Sequence, residues 1–330
     1  MLTCEPKEYL ERIERVNMKK RSMYGPANGY TAYSRATPGA YHKRLQIRKR
    51  ALTRRAALAG AGVVALTAAG IAVTKSGILT PMVSGVADSM PGIPDVSDVI
   101  EPPDPRDKEF AVDPSRTDWN YESNGKKTLY LTFDDGPSAN TEDILSILDT
   151  YGAKATFFVT NQFPDYLPLI AEEYERGHTV GLHSYSHDYS IYTSEETYFE
   201  DLEKIGQVVS EYIGYVPLFI RFPGGSSNTI SANYCSGIMT TLAQAVQDRG
   251  YQYWDWNSDC GDGATVTTEE AIAESQQFSE ENLVFLAHDA SAKTSTVEAL
   301  PSIIEYFQGQ GYTLEALTRE SMVDHHNVNN

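Results

Sequence analysis

The sequence predicts an α/β fold in which six or seven parallel strands close into a barrel-like sheet. The first observation is a series of short apolar runs of strand length beyond residue 127. The second is a stretch of helical length between most of these runs, which gives a repeat of about 25–40 residues. Repeats of this size join neighbouring strands in the same direction, so we expect a parallel sheet, open or rolled into a barrel. A count of six or seven strands favours the barrel.

The predicted elements alternate through a single domain at residues 125–320. Strands are expected at 128–133, 155–160, 179–184, 218–222, 251–256 and 283–288, and "GYTLEAL" at 311–317 closes the series. Helices are expected at 141–150, 167–176, 194–212, 237–249, 268–278 and 297–308.

The distribution of charge divides the chain into a basic head and an acidic body. The net charge is -18, yet residues 1–55 carry 14 Lys and Arg against 4 Glu, which leaves 13 Lys and Arg against 41 Asp and Glu elsewhere. Residues 1–55 lack a sustained apolar period, so we expect a mostly disordered tail. The body has no basic patch, and nucleic-acid binding by it is therefore not expected.

Residues 56–74 form an apolar segment without charge between these parts. As a helix, its 19 residues would span about 28 Å, close to the roughly 30 Å of a bilayer core. Arg54 and Arg55 precede the segment, so the positive-inside rule predicts a cytoplasmic tail and an extracytoplasmic body. We expect a single-pass membrane anchor. One alternative is a leader that is cleaved near residues 85–87, so that the body is secreted. The other is a buried Ala-rich helix.

The segments on either side of the domain are expected to be less regular. Residues 75–124 are rich in proline and acidic residues, which predicts an extended spacer. Residues 321–330 form a tail. Cys235 and Cys260 would lie outside the membrane, where they could form a disulfide; two reduced thiols are the alternative.

Side chains with catalytic chemistry gather at the predicted carboxyl ends of the strands, the edge at which barrels of this type carry function. They are Asp134, Asp135, His183, His187, Arg221, Asp255 and His288. Three of the seven histidines fall in this set. Because these strand ends meet at one edge, we expect one common site.

The motif "HSYSH" (183–187) places two imidazoles four residues apart. In a loop that leaves a strand, this spacing can place both rings around one ion, and a strand-end carboxylate would complete a His₂Asp set. Such a set leaves a position open for water, as catalytic zinc sites do. Alone, HxxxH is also common as two surface histidines, and Asp-Asp-Gly is common in turns. Their occurrence at neighbouring strand ends favours a metal site.

Five motifs occur in the order "TFDDGP", "HSYSH", "RFPGG", "YWDWN" and "LAH". In this order they resemble the motifs of the polysaccharide deacetylase family, also known as the NodB-homology domain or carbohydrate esterase family 4. The resemblance covers about residues 125–320. It implies a deformed (β/α) barrel, a divalent metal such as zinc or cobalt, and hydrolysis of an N-acetyl or sometimes O-acetyl group on a carbohydrate polymer.

The resemblance also implies the roles of the residues in the first three motifs. Asp135, His183 and His187 correspond to the metal ligands. Asp134 corresponds to the general base, which takes a proton from the water that the metal activates for attack on the acetyl carbonyl. Arg221 would hold Asp134 in position and ionised.

The remaining motif residues are expected to serve the leaving group and the acetyl group. His288 would protonate the departing amine, and Asp255 would orient His288 and raise its pKa. Trp256 and Leu286 would line the acetyl pocket, and the N–H of Gly224 would stabilise the oxyanion. The family often has an aromatic residue at the position of Gly224, so the groove should be more open here.

Placement and resemblance together predict an exported, metal-dependent deacetylase. Its expected substrate is the N-acetylglucosamine of peptidoglycan, because a tethered enzyme on a spacer would meet the cell wall first. Chitin or poly-N-acetylglucosamine deacetylation and an O-acetyl esterase of the xylan type are the alternatives. A carbohydrate-binding module without catalysis is disfavoured by the presence of all seven polar positions.

Overall fold

A computed structural model describes residues 105–330, and its sheet is built from the predicted alternation of strands and helices. The predicted tail (1–55), the predicted anchor (56–74) and residues 75–104 of the spacer lie outside the described residues. Within residues 105–330, no helix is long and apolar enough to cross a membrane. The anchor at 56–74 stays a prediction.

All strands of the described region belong to one parallel sheet. The strands are β1 (Thr128–Asp134), β2 (Ala155–Thr160), β3 (Thr179–Ser184), β4 (Phe219–Ile220), β5 (Gln252–Tyr253), β6 (Ser258–Asp259), β7 (Asn282–His288) and β8 (Thr313–Leu314). Their order is β5-β4-β3-β2-β1-β7-β6, and β8 pairs with the first two residues of β1. The seven strands in this order form a half-barrel, with β8 as an eighth strand beside β1, which confirms the predicted fold class.

Helices connect most of these strands. They are α1 (Pro105–Phe110), α2 (Thr141–Tyr151), α3 (Leu169–Glu175), α4 (Glu195–Ile213), α5 (Ile238–Asp248), α6 (Thr268–Ser275) and α7 (Thr294–Gly309). Helix α4 begins after Ser194, whose side chain accepts a hydrogen bond from the N–H of Thr197, and ends at Gly214 in the left-handed conformation. Local capping signals therefore explain why the predicted bounds of α4 agree with the structure to within one residue.

The alternation of side chains along β1 separates two hydrophobic clusters. Leu129, Leu131 and Phe133 pack in the larger cluster with the helices. Tyr130 packs in a smaller cluster with residues of other strands and of the segment after β5, on the inner face of the half-barrel. Asp134 follows on the same face as Tyr130, because side chains two apart in a strand point the same way. The strand thus delivers Asp134 to the inside of the half-barrel.

Strand β6 was not predicted from the sequence. Its two residues, Ser258 and Asp259, are polar, and they pair with Phe285 and Leu286 of β7. A strand of two polar residues has no apolar run that periodicity could detect. Its importance lies in its position, because it brings the residues after Asp259 to the end of β7.

The predicted disulfide is not formed in the structure, where Cys235 and Cys260 are separate buried thiols. Cys260 follows β6, at one end of the strand order. Cys235 precedes α5, which packs against β5 at the other end. The two thiols are therefore not linked in the fold.

Glu173 on α3 is a fully buried carboxyl group, and neither of its oxygens has a hydrogen-bond partner within residues 105–330. Burial, and then the charge of Asp289, raise the pKa of Glu173 well above its ordinary value. The fold therefore favours the protonated form of Glu173.

We predict that Glu173→Gln stabilises the protein more at pH 8 than at pH 5. The unfolded carboxyl ionises above a pKa of about 4.3, so the free energy of unfolding of the native chain falls as the pH rises from there towards the raised pKa of the folded state. Glutamine does not ionise, so the variant does not lose free energy of unfolding in this way as the pH rises. Thermal unfolding followed by circular dichroism should show a gain of several degrees at pH 8 and a smaller one at pH 5. An equal difference at both pH values would contradict the prediction.

Candidate active site

The two adjacent carboxylates at the end of β1 have different surroundings. Asp134 is the last residue of the strand, faces the inside of the half-barrel and is 3% exposed. Asp135 follows with a φ of 77°, so the backbone turns at this residue and leaves the alternation of the strand. This turn separates the environments of two side chains that are neighbours in the sequence.

Asp135 meets both histidines of the "HSYSH" motif. One carboxylate oxygen and one nitrogen of each of His183 and His187 lie within 4.8 Å of one another. The Oδ1 atom of Asp135 is 3.1 Å from Nε2 of His187 and 3.6 Å from Nε2 of His183. The structure thus brings the three predicted metal ligands together at the carboxyl ends of β1 and β3.

These three side chains fit a divalent metal. Oδ1 of Asp135 is buried and has no hydrogen-bond partner in the described part of the chain, so its approach to His187 is not a hydrogen bond. Nδ1 of His183 lies 2.7 Å from the carbonyl oxygen of Arg221, to which it can donate, and Nε2 is then left as an acceptor. Burial, and then the neighbouring His187, lower the pKa of His183 to about 3. A carboxylate and neutral imidazoles are donors that zinc prefers.

Two of the three predicted ligands have an unfavourable backbone conformation. Asp135 and His187, with φ values of 77° and 52°, are the non-glycine residues of the described region that have positive φ. The left-handed region costs such residues about 1–2 kcal/mol each. Strain of this kind concentrates at functional sites, where the surrounding structure maintains it.

Asp201 of α4 stabilises the conformation of the loop that contains the two histidines. Its carboxylate accepts hydrogen bonds from the hydroxyl of Ser184 at 2.6 Å and from the N–H groups of Tyr185 at 2.7 Å and Ser186 at 3.0 Å. Asp201 was not predicted from the sequence, because it lies on a helix outside the motif. An acidic residue at a position that is buried in α4 would have been the available signal.

Arg221 follows β4, is fully buried and donates to four acceptors. Nη1 donates to Oδ1 of Asp134 at 2.9 Å and to the hydroxyl of Thr132 at 2.6 Å. Nε and Nη2 donate to the carbonyl oxygens of Trp254 and Asp255, each at 3.0 Å. Burial raises the pKa of Asp134 above its ordinary value, although the charge of Arg221 acts in the opposite direction. The guanidinium therefore joins the end of β1 to the chain that follows β5.

His288, at the end of β7, is oriented by Asp262 and not by Asp255, which corrects the prediction from the sequence. Nδ1 of His288 is 2.7 Å from Oδ1 of Asp262, and the backbone N–H of His288 donates to Oδ2 of the same carboxylate at 2.8 Å. Burial alone would lower the pKa of His288, but the hydrogen bond and charge of Asp262 raise it to about 9. Strand β6, which the sequence did not reveal, carries Asp262 to this position.

Asp255 instead joins two segments beside the site. Its buried carboxylate accepts hydrogen bonds from the N–H of Ser226 at 2.8 Å, from the hydroxyl of Ser226, and from the N–H of His326 at 2.8 Å. Nε2 of His326 is 2.5 Å from the carbonyl oxygen of Trp256. Segment 321–330, to which the sequence assigned no role, thus packs against the loop that contains Gly224.

Two of the residues predicted to bind the oxyanion and the acetyl group, Gly224 and Trp256, lie at this loop. Gly224 and Gly225 both have positive φ, and a Cβ atom on Gly225 would lie 2.9 Å from the Trp256 ring. The N–H of Gly224 has no acceptor among residues 105–330. Leu286 is 7% exposed and lies two residues before His288, on the same face of β7. These positions leave the predicted roles of Gly224, Trp256 and Leu286 open to test.

Comparison with known proteins gives a consistent set of similarities. The family model described as polysaccharide deacetylase matches residues 121–252. A peptidoglycan-N-acetylglucosamine deacetylase of Bacillus cereus is 32% identical over 211 residues, which cover 60% of this chain and 72% of that protein. A putative polysaccharide deacetylase of Bacillus subtilis, YheN, is 30% identical over 213 residues, which cover 61% of this chain and 71% of that protein.

A solved structure extends the similarity beyond the residues that the family model matches. The catalytic domain of a peptidoglycan N-acetylglucosamine deacetylase from Eubacterium rectale aligns with a TM-score of 0.62 and 47% sequence identity. The alignment covers 66% of this chain and 100% of that domain.

We predict that Arg221→Met lowers the free energy of unfolding by about 3–5 kcal/mol, because it leaves the buried carboxylate of Asp134 without its partner. Urea unfolding of the variant measures this loss. The double variant Arg221→Met/Asp134→Asn should lose less than the two single losses together, since it no longer buries an unpaired charge. A loss below about 1 kcal/mol in Arg221→Met, as for an exposed ion pair, would contradict the prediction.

Proposed function

Since the chain belongs to the polysaccharide deacetylase family, we propose that it hydrolyses the N-acetyl groups of N-acetylglucosamine in peptidoglycan. Deacetylases of this kind are hydrolases that act on carbon–nitrogen bonds other than peptide bonds. The observation that carries the choice of substrate is the 47% identity to a peptidoglycan N-acetylglucosamine deacetylase domain whose whole length is covered. The residues at the carboxyl edge of the sheet support the same reaction.

Asp135, His183 and His187 would hold the metal ion, which we propose to be zinc, with cobalt as a substitute. When bound, such an ion supplies Lewis acidity, which polarises a carbonyl group and makes water reactive near neutral pH. The three ligands leave a coordination position for the reactants, as catalytic zinc sites do.

Asp134 would act as the general base. Its Oδ1 atom is held by Arg221, while Oδ2 faces the metal ligands, 4.0 Å from Nε2 of His183. Oδ2 can therefore accept the proton of a water molecule that attacks the acetyl carbon from the ligand side. The raised pKa of Asp134 suits this role, because a base is most effective when its pKa approaches the working pH.

His288 would act as the general acid. The carboxylate of Asp262 keeps the imidazole protonated, and Nε2 is the atom that remains to donate its proton to the nitrogen of the departing sugar amine. The N–H of Gly224 would donate to the oxygen of the acetyl group as negative charge develops there. Water thus adds to the carbonyl carbon, the carbon–nitrogen bond breaks, and acetate and a free amine leave.

We further propose that the catalytic domain acts outside the cytoplasm and that residues 56–74 anchor it to the membrane. The basic flank of that segment and the acidic spacer after it support this placement. A domain on such a spacer would reach the polymer next to the membrane.

The purified protein should release acetate from defined muropeptides or chitooligosaccharides in the presence of zinc, and a chelator should abolish the release. Chromatography of the products, with assay of acetate, measures both. No acetate from any N-acetylated glycan with zinc or cobalt present would overturn the proposal. Release from acetylated xylan alone would identify an O-acetyl esterase.

Two matched substitutions test the roles of the adjacent aspartates. Asp134→Asn should lower kcat by roughly 10²–10⁴-fold, the contribution of a general base, while zinc binding measured by calorimetry is retained. Asp135→Asn should lower the affinity for zinc itself, because it removes a charged ligand. If the two variants exchanged these phenotypes, the assignment would be wrong.

Asp262→Asn should move the alkaline limb of the kcat/KM profile to lower pH. In the native chain His288, with a pKa raised to about 9, stays protonated until the pH approaches that value, and activity falls as the proton is lost. Removal of the Asp262 charge lowers the pKa of His288, so activity should fall at a lower pH. Asp255→Asn is the control, since Asp255 has no contact with His288 among its hydrogen bonds. An alkaline limb that stays in place in Asp262→Asn would contradict this role.

A further inference from the structure

We infer that Tyr189 binds the sugar ring that carries the acetyl group, and that it makes the site selective for glycans over other acetylated molecules. This inference rests on the proposed function. Tyr189 begins a 3-10 turn (Tyr189–Thr193) two residues after His187. Its ring lies against the ring of His187, with the centroids 6.3 Å apart. Tyr189 therefore borders the metal triad.

Tyr189 also borders the loop on the other side of the site. Its hydroxyl oxygen lies 2.5 Å from the point that a Cβ atom on Gly224 would occupy. A side chain at residue 224 would collide with this hydroxyl, so the glycine leaves room for the tyrosine. Tyr189 thus spans the distance between the ligand His187 and the predicted oxyanion donor Gly224.

A neighbouring tyrosine fixes this position. The rings of Tyr189 and Tyr192 pack with their centroids 5.8 Å apart. Tyr192 is fully buried, and its hydroxyl donates to the carbonyl oxygen of Pro223 at 2.9 Å. Because Tyr192 is hydrogen-bonded to Pro223, the residue before Gly224, and packs against Tyr189, it fixes the position of the Tyr189 ring relative to the loop that contains Gly224.

The hydroxyl of Tyr189 is available to a ligand. The side chain is half-buried, and within residues 105–330 no hydrogen bond involves its hydroxyl. An aromatic ring that ends in an unpaired hydroxyl offers both an apolar face and a polar group. A pyranose has the complementary chemistry, with C–H groups on its faces and hydroxyl groups around its edge.

The position of the hydroxyl favours the sugar over the acetyl group. It lies on the side of Gly224 where a side chain would project, whereas an oxyanion that accepts from Gly224 must lie in line with its N–H bond. Tyr189 therefore contacts the part of the substrate that flanks the reacting amide. Its contribution should appear in the binding of glycans and not in the chemistry of the acetyl group.

The test compares two substrates in the full-length protein loaded with zinc: a chitooligosaccharide, and 4-nitrophenyl acetate, which has an acetyl group and no sugar. Tyr189→Phe should raise KM for the oligosaccharide roughly three- to tenfold, the effect of one lost hydrogen bond. The value of kcat/KM for the aryl acetate and the affinity for zinc should stay within about twofold. Tyr189→Ala, which also removes the ring, should raise KM for the oligosaccharide further. Tyr121→Phe is the matched control and should leave both substrates unaffected. Tyr121 is 53% exposed and lies beside Gln252 at the start of β5, whereas the proposed site lies at the carboxyl ends of the strands.

Each other outcome overturns the inference. Unchanged values for both substrates in Tyr189→Phe would show that the hydroxyl does not bind substrate. A parallel loss on both substrates would place Tyr189 on the acetyl group, and a loss of zinc affinity would make it a support of His187. If the wild-type protein hydrolyses the aryl acetate and no glycan, the proposed function fails before the variant is considered.

Discussion

The buried ion pair between Arg221 and Asp134 is the interaction on which the rest of the site depends. Both side chains are almost completely removed from solvent, so either charge alone would be strongly destabilising. Arg221 offsets this cost by donating to acceptors on β1 and on the chain after β5, and its carbonyl oxygen also holds His183. One residue therefore fixes the proposed base, one proposed metal ligand and the backbone that leads to Trp256.

This constraint explains how two adjacent carboxylates can serve different functions. Asp134 is still part of β1 and faces the guanidinium inside the half-barrel. Asp135 has left the strand with a positive φ and faces the two imidazoles. Asp135 would serve as a metal ligand, whereas the raised pKa of Asp134 suits the transfer of a proton. The same short motif would thus supply the proposed ligand and the proposed base, because the backbone turns between them.

The sequence predicted the parts of the fold that local patterns encode. Apolar runs predicted the long strands, the stretches between them predicted the helices, and motif positions at strand ends predicted the proposed ligands. It did not predict Asp262 as the partner of His288, because a two-residue polar strand carries no periodic signal and only the pairing of β6 with β7 brings Asp262 close. Asp201 was missed for a related reason, since its three hydrogen bonds cross from a helix to a loop.

Anomalous diffraction at the zinc absorption edge, from crystals of the zinc-loaded protein, tests the central claim most directly. We expect a peak bounded by the carboxylate of Asp135 and by Nε2 of His183 and His187, with Asp134 still bound to Arg221. A triad without a peak, or an ion bound by Asp134 after release from Arg221, would contradict the division of roles between the two carboxylates.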